Sequence, residues 1–376
     1  MKHKSWTSSL LLALFALMGV GLVQVYSSSF VFAIETYSDG LFFFKRQLFF
    51  SALGLGVVAF VTWLPMDLIR RYGWWLWAVA SVFVLLTWLP GLGVKVGGAH
   101  RWIQLPFGFR FEPAELLKVG FILLMATLIA RSQELNPKRT VTWSIFIITP
   151  LLFVLNQPDF GTFALIVAVG MALLFAFGMS WKVIIASFLV AIPTFYFLVM
   201  NVSYRRARVM AFLDPWSESH QKGFQAIQSM LSFHAGGFWG TGLGQGQGKL
   251  FFLPEAHTDF TLAVLGEEMG FVGLFLILSL FGYVIYRCFQ LSLRTEDRFQ
   301  KAVCLGVGLI LGVTVVINAG MSMGLLPTKG MALPFLSYGG SSLVTTCLLF
   351  GILLKIENEI MSRDQSRQRI SRILKS

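Results

Sequence analysis

The chain has 376 residues, 56% of them hydrophobic and only 13% charged, with a formal net charge of +12 from 30 Lys and Arg against 18 Asp and Glu. A soluble domain cannot hide that much apolar surface, so the composition specifies an integral membrane protein. No basic face sits on a soluble module, which excludes nucleic acid as a partner; the positive excess reflects cytoplasmic loops that collect Lys and Arg, with a share left for an anionic substrate.

Ten apolar runs approach the ~20 residues that a spanning helix needs. In chain order they are Leu10–Ser27, Gln47–Leu64, Trp74–Leu89, Glu115–Ala130, Trp143–Leu155, Thr162–Gly178, Val183–Asn201, Asp259–Tyr286, Ala302–Met323 and Gly339–Leu354, the fifth being short. The expected fold is therefore an all-α integral membrane protein: one polytopic domain over 1–376 with about ten transmembrane helices. Every second linker is basic, from Lys2 and Lys4 through Arg70, Arg131, Lys182 and Arg294 to the run after Lys355. That alternation puts both termini in the cytoplasm and makes 356–376 a basic cytoplasmic tail. Ile370, Ile373 and Leu374 recur there at helical spacing between arginines, which fits a helix on the membrane surface or on a partner. A cleavable signal peptide at the first run is the alternative, but no clear A-x-A site follows it. Cys288, Cys304 and Cys347 lie in or beside apolar runs and read as small buried hydrophobes.

The remaining linkers face outward. Two are long: Pro90–Pro113, and the large extracytoplasmic loop 202–258 between the seventh and eighth spans, which is rich enough in aromatics to be ordered. Both carry charge against the topological trend. The first holds Arg101, Trp102, Glu112, Glu115 and Lys118; Glu115 and Lys118 share a helix face, and Trp102 suits either a sugar ring or the headgroup level. The second opens with Arg205, Arg206 and Arg208. Arginine grips phosphate oxygens in pairs, so an anionic phosphate-bearing substrate accounts for both loops, with lipid headgroups as the alternative. "NQPDFGT" places Gln157 and Asp159 in a turn, where Asp159 could simply bond its own backbone. "GTGLGQGQGK" lacks the phosphate-loop pattern and reads as a flexible or close-packed segment. "GLLPTKGMALPFLSYGGSS", with Lys329, reads as a re-entrant or tightly folded outer loop. In "LPEAHTDF", Asp259 stands at the mouth of the eighth span, as a helix cap or as a reacting carboxylate.

Together "GGAHRWIQL", "EPAELLK", "QPDFGT", "GGFWGTGLGQG", "LPEAHTDF", "GEEMG" and "LPTKGMALPFLSYGGSS" resemble the SEDS family of bacterial cell-wall polymerases, in the family's own order from about Gly97 to Ser342. The lysine of "PTKG" resembles the division branch rather than the elongation branch. "EPAE" departs from the commoner Gln-Pro-Ser-Glu at Glu112. The resemblance implies a peptidoglycan glycosyltransferase of the bacterial cytoplasmic (inner) membrane that polymerises lipid II, an undecaprenyl-pyrophosphate-linked disaccharide-peptide, by inverting transfer for septal synthesis. It carries the essential aspartate to Asp259, and the motif Trp, Glu and Lys to Trp102, Glu115 and Lys118. Arg101, Gln157, Asp159, Arg205, Arg208, Glu255, His257, Lys329 and Ser337 stand beside them as further candidate substrate-binding residues. The resemblance also implies a class B penicillin-binding protein and other division proteins as partners. No cofactor is fixed; a divalent cation, Mg or Mn, would suit the pyrophosphate, with Asp259 as base or as metal ligand. The competing readings are a lipid II flippase, which would want ionisable groups at mid-membrane with access from both sides, and a scaffold that only recruits division proteins.

Overall fold

A backbone in lipid must satisfy its own hydrogen bonds, so the apolar runs become helices. The computed structural model describes residues 8–96, 99–132, 137–217, 222–249, 253–328 and 330–373. Its helices are α1 (Ser9–Tyr37), α2 (Phe42–Trp63), α3 (Met66–Tyr72), α4 (Trp75–Leu86), α5 (Pro113–Ala130), α6 (Pro137–Asn156), α7 (Phe160–Ala176), α8 (Trp181–Met200), α9 (Ser203–Leu213), α10 (Lys222–Gly236), α11 (Thr261–Arg294), α12 (Arg298–Ser322) and α13 (Gly340–Ile373). Each of the ten expected spans falls on one of them. Among the described residues seven helices are long and apolar enough to cross a membrane, namely α1, α2, α5, α6, α11, α12 and α13; the apolar parts of α4, α7 and α8 are shorter. The shortest is α4 at 12 residues, whereas α6, the weakest run in the sequence, reaches 20 by starting at Pro137.

The core is built around α5, α12 and α13. Packing pairs α13 with α2, α11 with α12, α4 with α5, and α12 with α5. Gly120 lets α4 and α5 meet backbone to backbone, since a Cβ there would lie 2.6 Å from the amide nitrogen of Trp77.

α11 is broken once. Gly270 has φ 63° and ψ −166°, outside the helical region. The Gly-rich segment after α10 closes the break. Its Thr241 and Gly242 amides donate to the carbonyls of Glu267 and Glu268, and the Phe271 and Val272 amides donate to Gly237 and Phe238. The segment is thus close-packed. The two "GEEMG" glutamates anchor it: Glu267 accepts from the Gln247 and Gly248 amides, while Glu268 is bound by Lys249 at 2.6 Å and by Ser27 of α1.

The two long linkers carry structure that the apolar pattern did not reveal. Pro90–Pro113 contains a three-stranded antiparallel sheet, β1 (Gly93–Val96), β2 (Ala99–Gln104) and β3 (Arg110–Phe111), an exception to the all-helical architecture. The loop 202–258 contains α9 and α10. At the opposite end, the tail is not a separate surface helix but the continuation of α13. Arg363 and Arg367 reach Glu296, Glu359 accepts from Gln300, and Glu357 is held by Ser8 and Arg287.

Candidate functional site

Asp259 stands in a tight turn just ahead of α11. The turn is organised by the Glu255 carbonyl, which accepts the amides of Thr258, Asp259 and Phe260 at 3.1, 3.0 and 3.3 Å. Glu255 takes a left-handed φ of 57° to do so. The helix N-cap position belongs to Phe260, and no side chain caps it, so Asp259 is not the cap that its position in the sequence allowed. Its carboxylate is half-buried and faces Gly330. Burial, and then the Glu255 charge, push its pKa up to about 7 against the pull of Arg208 and Arg101.

Arg208, on α9, donates to the Thr328 carbonyl at 3.2 Å, which ties the long loop to the loop between α12 and α13. Arg101, on β2, donates to the carbonyls of Gln157 and Pro158, so it clamps the α6–α7 turn while its charge is felt at Asp259. Trp102 follows it on β2, half-buried and paired in register with Val94. Glu115 and Lys118 form an ion pair at 2.8 Å in the first turns of α5, both largely shielded.

A second carboxyl was less visible in the sequence. Glu112 ends the sheet and immediately precedes α5; its amide is bound by the Ser341 hydroxyl at 3.0 Å. Burial raises its pKa to about 8, reinforced by Glu115 and Asp159 and opposed by Lys118 and Arg101. The Arg101 charge therefore acts on both raised carboxyls, Asp259 and Glu112.

Other expected residues make contacts within the chain. Gln157 is buried and spends its amide nitrogen on the Val84 carbonyl at 3.1 Å and the Thr87 hydroxyl at 2.5 Å. Asp159 caps α7 by accepting the Thr162 amide at 3.2 Å. Ser337 is buried and accepts the Leu333 amide at 2.9 Å within its own turn. The His257 ring lies among Phe32, Phe43 and Tyr338, and burial lowers its pKa although Glu255 opposes this. Lys329 and the side chain of Arg205 lie outside the described residues. A cavity of about 380 Å³ between α10, α11 and the end of α12 is lined by apolar groups such as Met230, Phe233, Phe271 and Met323, away from the carboxylates.

These features define a polytopic helical membrane protein whose loops bring a raised carboxyl, Asp259, under the influence of two guanidinium groups. Similarity to known proteins runs over nearly the whole chain. The FtsW, RodA and SpoVE family of cell cycle proteins matches residues 8–361, and the chain belongs to that family, also called SEDS. It is 40% identical over 354 residues to a probable peptidoglycan glycosyltransferase FtsW of Geobacter sulfurreducens, covering 93% of this chain and 95% of the relative. The FtsW of Trichlorobacter lovleyi is 42% identical over 351 residues, at 92% of each chain. Among solved structures, a chain of a peptidoglycan synthase complex that coordinates polymerization and crosslinking superposes with a TM-score of 0.78 at 25% identity, covering 96% and 99% of the two chains. The rod shape determining protein RodA of Thermus thermophilus shares the fold with a TM-score of 0.69, covering 94% of this chain and 98% of its own.

Proposed function

We propose that this protein is an FtsW-type peptidoglycan glycosyltransferase of the bacterial cytoplasmic membrane, polymerising lipid II for division. The observation that carries the reading is Asp259: a half-buried carboxyl with its pKa pushed up to about 7, facing Gly330 and acted on by the charges of Arg208 and Arg101. A group with that pKa is ionised often enough to accept a proton at neutral pH and basic enough to hold it. The acceptor sugar's 4-hydroxyl attacks the anomeric carbon of the donor, and its proton passes to Asp259. The bond to pyrophosphate breaks in the same displacement, with inversion. The leaving group carries its own negative charge, so it asks for cations rather than for an acid, and Arg208 supports that role. Glycosidases, by contrast, need a second carboxyl to protonate a poor leaving group.

A divalent cation here would be held by Asp259 and the substrate's own phosphates, and it would offset the charge of the leaving pyrophosphate. Among the described residues no three His, Cys, Asp or Glu side chains are grouped closely enough to hold a metal. No step is therefore routed through one. By the charge alternation of the linkers both termini lie in the cytoplasm and Asp259 lies at the outer surface. The partner that fits is a class B penicillin-binding protein, in keeping with the synthase complex whose SEDS-like chain shares this fold.

The test is polymerisation of purified lipid II by the full chain together with its transpeptidase partner. Asp259→Asn keeps the shape and removes the base, and the expected loss is about 10²–10⁴-fold with expression and partner binding retained. Near-wild-type polymer from this variant would sink the assignment.

A further inference from the structure

Asp259 is held by a side chain to which the mechanism gives no task. Asn318, completely buried on α12, donates its amide nitrogen to two carbonyls, that of Asp259 at 3.3 Å and that of Met331 at 2.8 Å. One amide thus ties the turn bearing the carboxylate to the segment entering from the loop between α12 and α13. Arg208 holds the same segment three residues earlier, at Thr328. Between these two ties lies Gly330. A Cβ built there would stand 3.1 Å from Asp259 Oδ2 and 3.7 Å from its Cγ and Oδ1. Gly330 does not have a positive φ, so space rather than backbone freedom distinguishes glycine from alanine here.

The amide's other end makes the same point. Asn318 Oδ1 is buried and has no hydrogen-bond partner. Leaving a buried acceptor unpaired is costly, so Asn318 is not the residue that best satisfies this part of the core. What it adds is direction, through the nitrogen that spans Asp259 and Met331.

Resting on the reading of Asp259 as the base, we propose that Asn318 is a positioning residue and Gly330 a clearance residue for the Asp259 carboxylate. Asn318 fixes the separation between the Asp259 turn and the 330–331 segment. The bare backbone at Gly330 leaves the Oδ2 side of the carboxylate open to the incoming acceptor hydroxyl. A methyl group at 330 narrows that opening, and loss of the amide lets the turn drift. Either change alters where the proton is received without removing any group that grips the pyrophosphate.

The experiment compares Asn318→Ala, Gly330→Ala, Asp259→Asn and the Asp259→Asn/Asn318→Ala double variant in steady-state lipid II polymerisation, using the full chain with its partner. Misplacement of a reacting group by about 1 Å costs roughly 10²-fold, so Asn318→Ala and Gly330→Ala should each lower kcat by about 10- to 100-fold. KM for lipid II should stay unchanged, because substrate grip is untouched. The double variant should be no slower than Asp259→Asn alone, since a misplaced base and an absent base are not separate losses. A purely structural Asn318 would instead lower the melting temperature, leave kcat intact in the folded fraction, and add its effect to that of Asp259→Asn. Should Asn318→Ala fail to fold, Gly330→Ala on the outer loop decides by the same kcat measurement. Wild-type kcat in Gly330→Ala, with Asp259→Asn inactive, overturns the positioning proposal alone. Retained polymerisation in Asp259→Asn overturns the catalytic reading and the positioning proposal with it.

Discussion

α5 and α8 are both apolar helices adjoining charged loop residues, yet they are packed in opposite ways. From Leu117 to Ala126, α5 is buried except at Lys118. α8 shows much of itself to lipid: Leu189 is 67% exposed and Phe197 66%, and its main packing partners are only α7 and α9. α5 delivers Glu115 and Lys118, whereas α8 runs on through a short connection to α9 and Arg208. One set of charged residues is therefore placed by the core, and the other hangs on a peripheral helix. On the proposed function, an anionic substrate would meet carboxylates and a lysine whose positions are fixed, and an arginine on an element with fewer neighbours to hold it.

Four measurements would break or sharpen that contrast. The largest effect should come from Gly120→Val on α5. Its side chain has nowhere to go against the Trp77 backbone, and overpacking of this kind costs about 1–3 kcal/mol or more. Leu189→Ala on α8 should stay within about 0.5 kcal/mol as a surface change. Thermal unfolding in detergent reads both, and equal falls would erase the distinction between the two helices. Next come the two neighbours of Asp259, with opposite signs. The active base is the ionised carboxylate, so rate is lost as pH falls through about 7. Arg208 favours the ionised form, so Arg208→Ala should move the acid limb of the pH–rate profile to higher pH. Glu255 disfavours it, so Glu255→Gln should move that limb lower. Shifts of the same sign in both variants would show that Asp259 does not set the limb.

Smaller again is Asp159→Ala, which removes the α7 cap at a cost of about 1 kcal/mol, while Asp159→Asn keeps the cap and should be nearly neutral for folding. A fall in polymerisation by Asp159→Asn at unchanged melting temperature would instead give this carboxylate a part in the chemistry. Smallest is Glu296→Gln at the far end. Its pairs with Arg363 and Arg367 are solvent-exposed, and such pairs contribute about 0–1 kcal/mol. A drop of several degrees in melting temperature would mean that the end of α13 is held more firmly than its exposure allows.

Much of the bundle was legible because a spanning helix leaves a long apolar run that needs no partner to be recognised. What the run does not carry is its surroundings: α5 and α8 read alike, and only the fold distinguishes the buried helix from the lipid-facing one. The short sheet was hidden because strands of two to six residues leave little periodicity. The extent of α13 escaped notice for a related reason. The charges after Lys355 look like the end of a span, but no Gly or Pro interrupts the chain between Ile352 and Ile373, so the helix simply continues. At the candidate site, charge against the topological trend pointed to Arg101 and Arg208. Family motifs, rather than any local pattern, singled out Asp259 from the other acids. Asn318 and Gly330 could not be found that way, since an amide inside an apolar helix and a glycine in a loop acquire meaning only from what they face.

The 34 residues of α13 make a rod of about 51 Å at 1.5 Å per residue, against roughly 30 Å of hydrocarbon. Its first turn carries Ser341, whose hydroxyl holds the Glu112 amide at the candidate site. About six and seven turns later it carries Arg363 and Arg367, clasped to the α11–α12 turn. With neither proline nor glycine past Gly351, the outlying half has no joint at which to bend. A sideways load on the end that projects from the membrane is therefore delivered as a tilt of the whole shaft, and the Ser341 end is the short arm of that lever.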